Sequence, residues 1–398
     1  MHRSTKDAPR RLPAMSSPSL IVPATAPRWR ERLMAFAADL KLDPGIVAMF
    51  IASRLLIVVA AVVAETLVPR NPGLVPGADG PLLRSLTSWD GWYYLGIVRD
   101  GYHAAPVVGA YTNVAFPPLY PAIVRVLSLP FPGWEGVVAV LVSNVAFVVA
   151  LGLLVRLGTP YLGRRRATLA TGLLVIYPFA STFAMAYTES LFLLLTVAAF
   201  LAAERGHRAW AGIFLALTVL CRLQGVALIL PLWILLLRQD GWRPRASQAW
   251  LLLGPLAGLG FLAYVATVTG SPTAFLDAQK AWGRQGVGGA APGKTIGAAF
   301  SPYQGALLFT LLSSVFLLVY VRVDRLRPEY WLVPVLFIAA EISSGSLEAV
   351  GRITMLAFPL VWILASRRSP FVRRVWPAVS VGLFTLIAVL SFGGYWVP

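Results

Sequence analysis

Apolar segments close to the length of a membrane-spanning helix recur along most of the chain. A helix needs ~20 residues to cross the ~30 Å of hydrocarbon in a bilayer, and on that criterion we draw about eleven spans. They lie at about 45–67, 136–157, 168–186, 189–204, 209–222, 224–238, 249–269, 303–321, 329–343, 352–366 and 375–396. The sequence therefore predicts an all-α polytopic membrane protein.

Arginine clusters occupy every second connection between these spans. They are Arg164-Arg165-Arg166, Arg205 with Arg208, Arg238 with Arg243 and Arg245, Arg322 with Arg325 and Arg327, and Arg367-Arg368 with Arg373-Arg374. Because cytoplasmic loops carry an excess of Lys and Arg, we place these connections in the cytoplasm. The N-terminus is then inside, the C-terminus outside, and the connections 68–135, 270–301 and 341–351 face the extracytoplasmic side.

One long apolar stretch, 209–238, is broken by Arg222-Leu223-Gln224-Gly225. Read as one span, it would put the later arginine clusters outside. Read as two spans, it keeps the alternation of charge along the whole chain. We therefore predict two spans that meet at an extracytoplasmic bend carrying Arg222 and Gln224.

Composition supports a membrane protein and excludes other classes. The chain is 58% hydrophobic, with a mean hydropathy of +0.72. A net charge of +17 would suggest nucleic acid as the partner of a soluble protein. Here topology and anionic lipid headgroups account for the charge, so no nucleic-acid partner is expected. Cys221 has no second cysteine to pair with, and the three histidines lack metal-ligand spacing, so we expect neither a disulfide nor a metal cofactor.

The chain divides into a short tail and one large domain. Residues 1–44 are predicted to be a basic cytoplasmic tail with a surface helix at about 28–42, and no cleavable signal is evident. Residues 45–398 are predicted to form a single transmembrane domain, because we find no internal repeat and no second soluble domain.

The connection 68–135 is rich in Trp and Tyr and contains apolar residues at near-helical spacing. One helix is predicted from Leu82 to Val98, and a second after Pro118. Aromatic amphipathic helices of this kind lie in the membrane interface. Two such helices would lie on the membrane surface at the depth of the headgroups, where they could contact a lipid-linked substrate.

Several short motifs along the chain, taken in order, are similar to the sequence blocks of one protein family. They are Ser88-Trp89-Asp90-Gly91-Trp92-Tyr93-Tyr94-Leu95 with Arg99-Asp100-Gly101-Tyr102, then Ala115-Phe116-Pro117-Pro118-Leu119-Tyr120-Pro121, Tyr177-Pro178 with Ala186-Tyr187-Thr188-Glu189-Ser190-Leu191-Phe192, Arg222-Leu223-Gln224-Gly225, and Gly351-Arg352 with Phe358-Pro359. In this order they resemble the blocks of PIG-V-like mannosyltransferases over roughly 85–360. Pro117, Gln224 and Ile353 depart from the family pattern, which bears on the acceptor more than on the chemistry.

The resemblance implies a GT-C fold and a bacterial inner-membrane enzyme that works at the outer leaflet. Its donor would be a polyprenyl-phosphate sugar, and its acceptor a lipid-linked sugar or a glycolipid. Membrane lipids are then its partners, and no cofactor is needed. The number of subunits is not indicated by the sequence.

The motif residues fit the chemistry of an inverting glycosyl transfer. An attacking hydroxyl needs a base, and Asp90 is the predicted catalytic carboxylate. Arg222 and Arg352 are predicted to bind the donor phosphate, because a guanidinium matches phosphate oxygens. The remaining motif residues are predicted to bind substrate: Trp89, Trp92, Tyr93, Tyr102, Tyr187, Glu189 and Gln224.

Each of these residues also has an ordinary structural explanation. Asp90 can cap the helix that follows it, and Asp100 before Gly101 is typical of a turn. Glu189 suits a helix N-terminus, and arginines at helix ends can reach the interface. Arg54, near the middle of the first span, needs a partner, and either a structural ion pair or donor phosphate would serve.

Other functions remain open at the sequence level. The transferred sugar can be glucose, galactose or arabinose instead of mannose, and the acceptor can be a protein Ser or Thr. A flippase or transporter would also have many spans, although such proteins show related halves and midplane charge. A non-catalytic relative is a further alternative, against which the presence of Asp90 argues.

Overall fold

The computed structural model describes residues 43–69, 71, 80–103, 111–281, 326–344, 349–366, 370 and 374–395. Within these residues the chain forms fifteen α-helices and no strand. In chain order, α1 to α15 are Pro44–Leu67, Pro81–Thr87, Asp90–Asp100, Leu119–Ser128, Glu135–Leu162, Arg164–Val175, Glu189–Glu204, Arg208–Cys221, Ile229–Gln239, Leu253–Thr269, Ala274–Ala281, Pro328–Ser344, Val350–Leu356, Pro359–Ser366 and Trp376–Phe392. Short 3₁₀ turns occupy 113–115, 180–184, 223–228 and 246–252.

Three helical segments are long and apolar enough to cross a membrane: Pro44–Leu67, Glu135–Leu162 and Ala246–Thr269. Shorter apolar helices include Arg208–Cys221, Leu223–Gln239 and Trp376–Phe392. These helices indicate an integral membrane protein and lie close to predicted spans. The count of eleven spans is not established by them. The span predicted at 303–321 and the predicted tail with its surface helix lie outside the described residues.

The sequence of helix α1 explains where the helix begins and which of its sides is buried. The Asp43 carboxylate accepts a hydrogen bond from the Gly45 amide at 2.9 Å, and Pro44 occupies the first turn. Small residues such as Ala60 and Ala61 are buried, whereas Leu55 and Val59 are exposed. The helix packs against α15 and α6. Exposed aliphatic side chains on a helix of this length are expected to face lipid.

The centre of the bundle is α7, which packs against α5 and α8. Most of its residues are buried, including Phe192, Leu193 and Phe200. A helix that is apolar all round belongs in an interior. Its first residue, Glu189, is completely buried, so the centre of the bundle contains an acidic group.

Several predicted spans are interrupted, and the reason is local. The span predicted at 168–186 is helical only to Val175, and the chain continues through the turn 180–184. The span predicted at 352–366 is divided into α13 and α14 just before Pro359. Pro178 and Pro359 lack an amide hydrogen and restrict the preceding residue, which disfavours a continuous helix. The predicted break within 209–238 is confirmed, since α8 ends at Cys221 and α9 begins at Ile229.

The prediction of one helix from Leu82 to Val98 is wrong. The structure has two helices there, α2 and α3, separated at Ser88 and Trp89. Trp89 has φ of 58°, in the left-handed region that non-glycine residues avoid, and its indole N–H donates to the Ser391 carbonyl at 2.9 Å. The tertiary contact thus helps hold the bend that starts α3 at Asp90. The second predicted helix is present as α4.

A cluster of ion pairs and hydrogen bonds joins the helix ends on the predicted cytoplasmic side. Asp240 pairs with Arg208 at 2.6 Å, and Glu329 pairs with Arg238 at 2.8 Å. The Glu204 carboxylate accepts hydrogen bonds from Tyr161 and Tyr330. These contacts tie α5, α7, α8, α9 and α12 together and satisfy buried acids that would otherwise be costly.

Candidate active site

The turn before α7 forms the floor of the site. This turn is completely buried at Tyr187, Thr188 and Glu189. The buried groups include the Thr188 hydroxyl and the Glu189 carboxylate. The Ala186 amide donates to the Leu86 carbonyl at 2.7 Å, which ties this turn to the end of α2. Glu189 is in the first turn of α7, where a negative charge is favoured by the helix dipole.

Asp90 lies at the first position of α3 and does not cap it. Its carboxylate oxygen Oδ2 is 2.6 Å from Nη1 of Arg352, 262 positions away in the chain. Its backbone amide donates to the Tyr187 hydroxyl at 3.2 Å. The capping alternative is therefore not supported, because α3 has no side-chain cap and the carboxylate is paired with a guanidinium.

Arg352 is almost completely buried, with 5% of the residue exposed. Besides Asp90, its Nη1 faces Glu189 Oε1 at 3.5 Å, and its guanidinium carbon lies 5.7 Å from the centre of the Tyr187 ring. Its Nε is buried and makes no hydrogen bond in the structure. An arginine with a free buried donor retains capacity to bind an acceptor.

Arg222 completes a group of four charges. Its Nη1 donates to Glu189 Oε1 at 2.6 Å and to Thr188 Oγ1 at 3.0 Å, and its Nε donates to Gln224 Oε1 at 3.2 Å. Glu189 thus lies between two arginines, while its Oε2 is buried without a hydrogen-bond partner. The two acids and two arginines have no net formal charge, and buried ions require such pairing.

The predicted aromatic residues occupy different places around this group. The Trp92 side chain is exposed, and Tyr93 stacks on Phe116 with ring centres 5.1 Å apart. Burial, and secondarily the charge of Asp90, raise the pKa of the Tyr93 phenol above its usual value. The Tyr102 hydroxyl donates to the Phe116 carbonyl at 2.7 Å, and its ring contacts Phe261 and Tyr264.

The structure adds Thr188 and Tyr94 to the predicted set. The Thr188 hydroxyl bonds both Arg222 and the Tyr94 hydroxyl, the latter at 3.3 Å. Both residues are inside quoted motifs, but spacing alone does not show which motif residues meet. Asp100 ends α3 and is followed by Gly101 with φ of 81°, as predicted for a turn residue.

A small apolar cavity, with space for about one water molecule, adjoins the charged group. Its lining includes Gln224 and Ile353, the neighbours in sequence of the two arginines, and its other lining residues are Phe192, Phe337, Ala340 and Leu356. A cavity of this size does not hold a lipid chain, which would need the lining side chains to move apart. Among the described residues no group of three His, Cys, Asp or Glu is close enough to hold a metal ion.

Sequence comparison defines the class of protein. A family model described as Mannosyltransferase (PIG-V) matches residues 46–230, just under half of the chain. The matched region contains Asp90, Glu189 and Arg222, and Arg352 lies beyond it. The predicted resemblance is confirmed over this region, and the match supports a glycosyltransferase, with mannosyl transfer the activity for which the family model is named. A comparison with curated proteins finds no match.

Several solved structures are similar to this chain at low identity. ArnT from Cupriavidus metallidurans bound to undecaprenyl phosphate is 17% identical, with a TM-score of 0.47 over 88% of this chain and 76% of that chain. The apo oligosaccharyltransferase from Archaeoglobus fulgidus is 15% identical, with a TM-score of 0.45 over 86% and 56%. The archaeal oligosaccharyltransferase AglB from Archaeoglobus fulgidus, with an inhibitory peptide and a dolichol-phosphate, is 14% identical, with a TM-score of 0.42 over 86% and 56%. The chain thus spans a little over half of the oligosaccharyltransferase.

Proposed function

We propose that this protein is an inverting mannosyltransferase with a GT-C fold that uses a polyprenyl-phosphate sugar. It transfers the hexose to a lipid-linked sugar or a glycolipid. The observation that carries the proposal is the contact between Asp90 and Arg352, a carboxylate and a guanidinium 2.6 Å apart, with Asp90 inside the region that matches the mannosyltransferase family. The pair provides a base and an anion-binding group at one point in the fold.

Asp90 acts as the general base in this proposal. The acceptor hydroxyl gives its proton to the Asp90 carboxylate while its oxygen forms a bond to the anomeric carbon. The bond from that carbon to the phosphate oxygen breaks on the opposite face, and polyprenyl phosphate leaves with the electron pair. Inversion follows because a single displacement occurs.

Arg352 is the main contact for the departing phosphate. Its buried Nε has a free hydrogen-bond donor, and its Nη1 is shared with Asp90 and Glu189. Cationic donors stabilise the charge that develops on the leaving phosphate. Arg222 is bound by Glu189, Thr188 and Gln224. It contributes positive charge to the same region and holds Glu189 beside Arg352.

The first part of the prenyl chain is proposed to lie along the apolar side chains that line the small cavity beside these arginines, which move apart to admit it. Gln224 and Ile353 connect the cavity with Arg222 and Arg352, so a phosphate near the arginines places its lipid tail next to Phe192. Trp92, exposed at the start of α3, is available to stack on a sugar.

The site is proposed to face the extracytoplasmic side of a bacterial inner membrane. The proposal rests on the alternation of arginine clusters, which places 80–103, 187–189, 222–225 and 349–352 on the side opposite those clusters. The full-length protein would then have about eleven spans, with the N-terminus inside.

The direct test uses purified protein in nanodiscs with polyprenyl-phosphate [³H]mannose and membrane lipids. We expect label to move into a glycolipid product in the presence of EDTA, and GDP-mannose to be inactive. Transfer only from glucose or arabinose donors, or only to protein, would revise the substrate. Movement of intact lipid across the bilayer without bond cleavage would instead indicate a flippase and contradict the proposal.

A further inference from the structure

Arg54 lies near the middle of the 24-residue helix α1, where an unpaired charge is costly. Among the described residues it pairs with no carboxylate. Its Nε donates to the Asn144 side-chain oxygen at 2.6 Å, and its Nη1 donates to the Ser53 hydroxyl at 3.3 Å. Its guanidinium also lies over the rings of Phe50 and Phe147, at 4.3 and 5.2 Å. The partner of this charge is thus an amide with aromatic rings.

Arg54 determines which way the Asn144 amide points. A guanidinium only donates hydrogen bonds, so the Asn144 oxygen must face it and the amide nitrogen must face away. That nitrogen donates to the carbonyl of Val140 at 2.7 Å and to the carbonyl of Ala184 at 3.2 Å. Ala184 ends the 3₁₀ turn that precedes Tyr187. The charge in α1 is therefore connected to the turn below the site.

Two neighbouring contacts from α5 hold the same turn. The Phe147 ring stacks on Phe183 with centres 4.2 Å apart. The Ser143 hydroxyl donates to the Tyr187 carbonyl at 3.0 Å and is also bonded to Tyr120. The residues on α5 that face this turn thus contact it at three successive points.

We propose that Arg54 and Asn144 are positioning residues that set the placement of Asp90 through this turn. The Tyr187 hydroxyl accepts the Asp90 amide hydrogen, so a shift of 184–187 changes where Asp90 lies relative to Arg352. This inference rests on the proposed transferase function for its kinetic consequence. Its structural part, the hold of Arg54 and Asn144 on the turn, can be measured without a substrate.

Cys221, the single cysteine of the chain, reports on this turn. It is completely buried, and its thiol lies 3.6 Å from the Thr188 carbonyl oxygen, to which it donates. A thiol reagent can reach it only when the structure opens locally, so the labelling rate measures that opening. The measurement is made on the full chain in nanodiscs under native conditions.

The decisive variant is Asn144→Asp. It keeps an oxygen for Arg54 and gives that arginine a counter-ion, but it loses the donor to Ala184. Losing a hydrogen bond of this kind corresponds to about a fivefold change in an equilibrium, so Cys221 should label about fivefold faster or more. Arg54→Met should also increase the labelling rate of Cys221, because the Asn144 amide is then free to rotate. In the transfer assay both variants should lower kcat more than they change KM for the donor.

The matched control is Thr159→Val, which removes a hydroxyl that bonds only to Val155 of the same helix α5. In this variant the labelling rate of Cys221 and the rate of sugar transfer should equal those of the wild type. If Asn144 serves only to accept the hydrogen bond from Arg54, Asn144→Asp should label at the wild-type rate, and that result would overturn the inference even if transfer activity is found. If the wild type transfers no sugar while Asn144→Asp labels faster, the proposed function fails and the hold on the turn stands.

Discussion

Asp90 and Arg352 form a buried ion pair in which the carboxylate oxygen Oδ2 is 2.6 Å from the guanidinium Nη1. Asp90 is 13% exposed at its side chain and Arg352 is 6% exposed. Glu189 Oε1 lies 3.5 Å from the same guanidinium nitrogen. A phosphate that binds Arg352 therefore meets a guanidinium that already has two acidic neighbours.

Asp90→Asn should reduce turnover by about 10²- to 10⁴-fold, the usual contribution of a general base. Asparagine preserves size but cannot accept the proton. Steady-state transfer with purified protein in nanodiscs measures the effect. Asp100→Asn is the control, because Asp100 ends α3 next to the turn at Gly101. Near-normal turnover of Asp90→Asn would remove Asp90 from the mechanism and make Glu189 the next residue to test.

Arg352→Lys should raise KM for the donor and lower kcat together. Lysine keeps the charge but lacks the planar fork and the Nε donor, which is buried and free in the structure. An interaction with phosphate exists in both the ground state and the transition state, so both constants should change. Unchanged KM with lower kcat would mean that Arg352 acts on Asp90 alone.

Asp90→Asn should also bind polyprenyl phosphate more tightly than the wild type does. In the proposed site the lipid phosphate competes with the Asp90 carboxylate for Arg352. A hydrogen bond to a charged group contributes about 1.5–3 kcal/mol, so a gain of about tenfold in affinity is expected. Competition binding with labelled lipid measures it. Equal or weaker binding by the variant would show that the phosphate does not displace Asp90.

Gly351→Ala should reduce both stability and activity. A Cβ at this position would lie 2.4 Å from Cε1 of Phe179, and the side chain of Arg352 begins one residue later. Overpacking of this kind typically costs about 1–3 kcal/mol. Gly382→Ala on α15 is the matched control, because a Cβ there meets nothing within 4 Å. Thermal unfolding of both variants in nanodiscs tests the difference; equal midpoints would contradict the expected clash.

Topology can be tested with cysteines introduced one at a time at exposed positions. Tyr111→Cys and Thr273→Cys should react with an impermeant thiol reagent added to intact spheroplasts, whereas Arg165→Cys should react only after permeabilisation. All three residues are exposed. Cys221 is buried and should remain unlabelled during a short reaction. The reverse pattern would move the proposed site to the cytoplasmic side.

The sequence by itself determined most of the helical segments and most of the residues of the site. Apolar length marked α1, α5, α7, α8 and α15 to within a few residues, because hydrophobic periodicity and length are local properties. The motifs also included Asp90, Glu189, Arg222 and Arg352, since the resemblance is carried by short runs of residues.

Only the tertiary structure decided the bend between α2 and α3 and which charges meet. A hydrogen bond from Trp89 to Ser391 helps hold the bend before α3, and the contact of Asp90 with Arg352 spans 262 positions. The partner of Arg54 proved to be Asn144, 90 positions away. Such pairings follow from how helices pack around a shared interior, where buried charges must find partners that are distant in the chain. A one-dimensional pattern contains the groups but does not specify their distances.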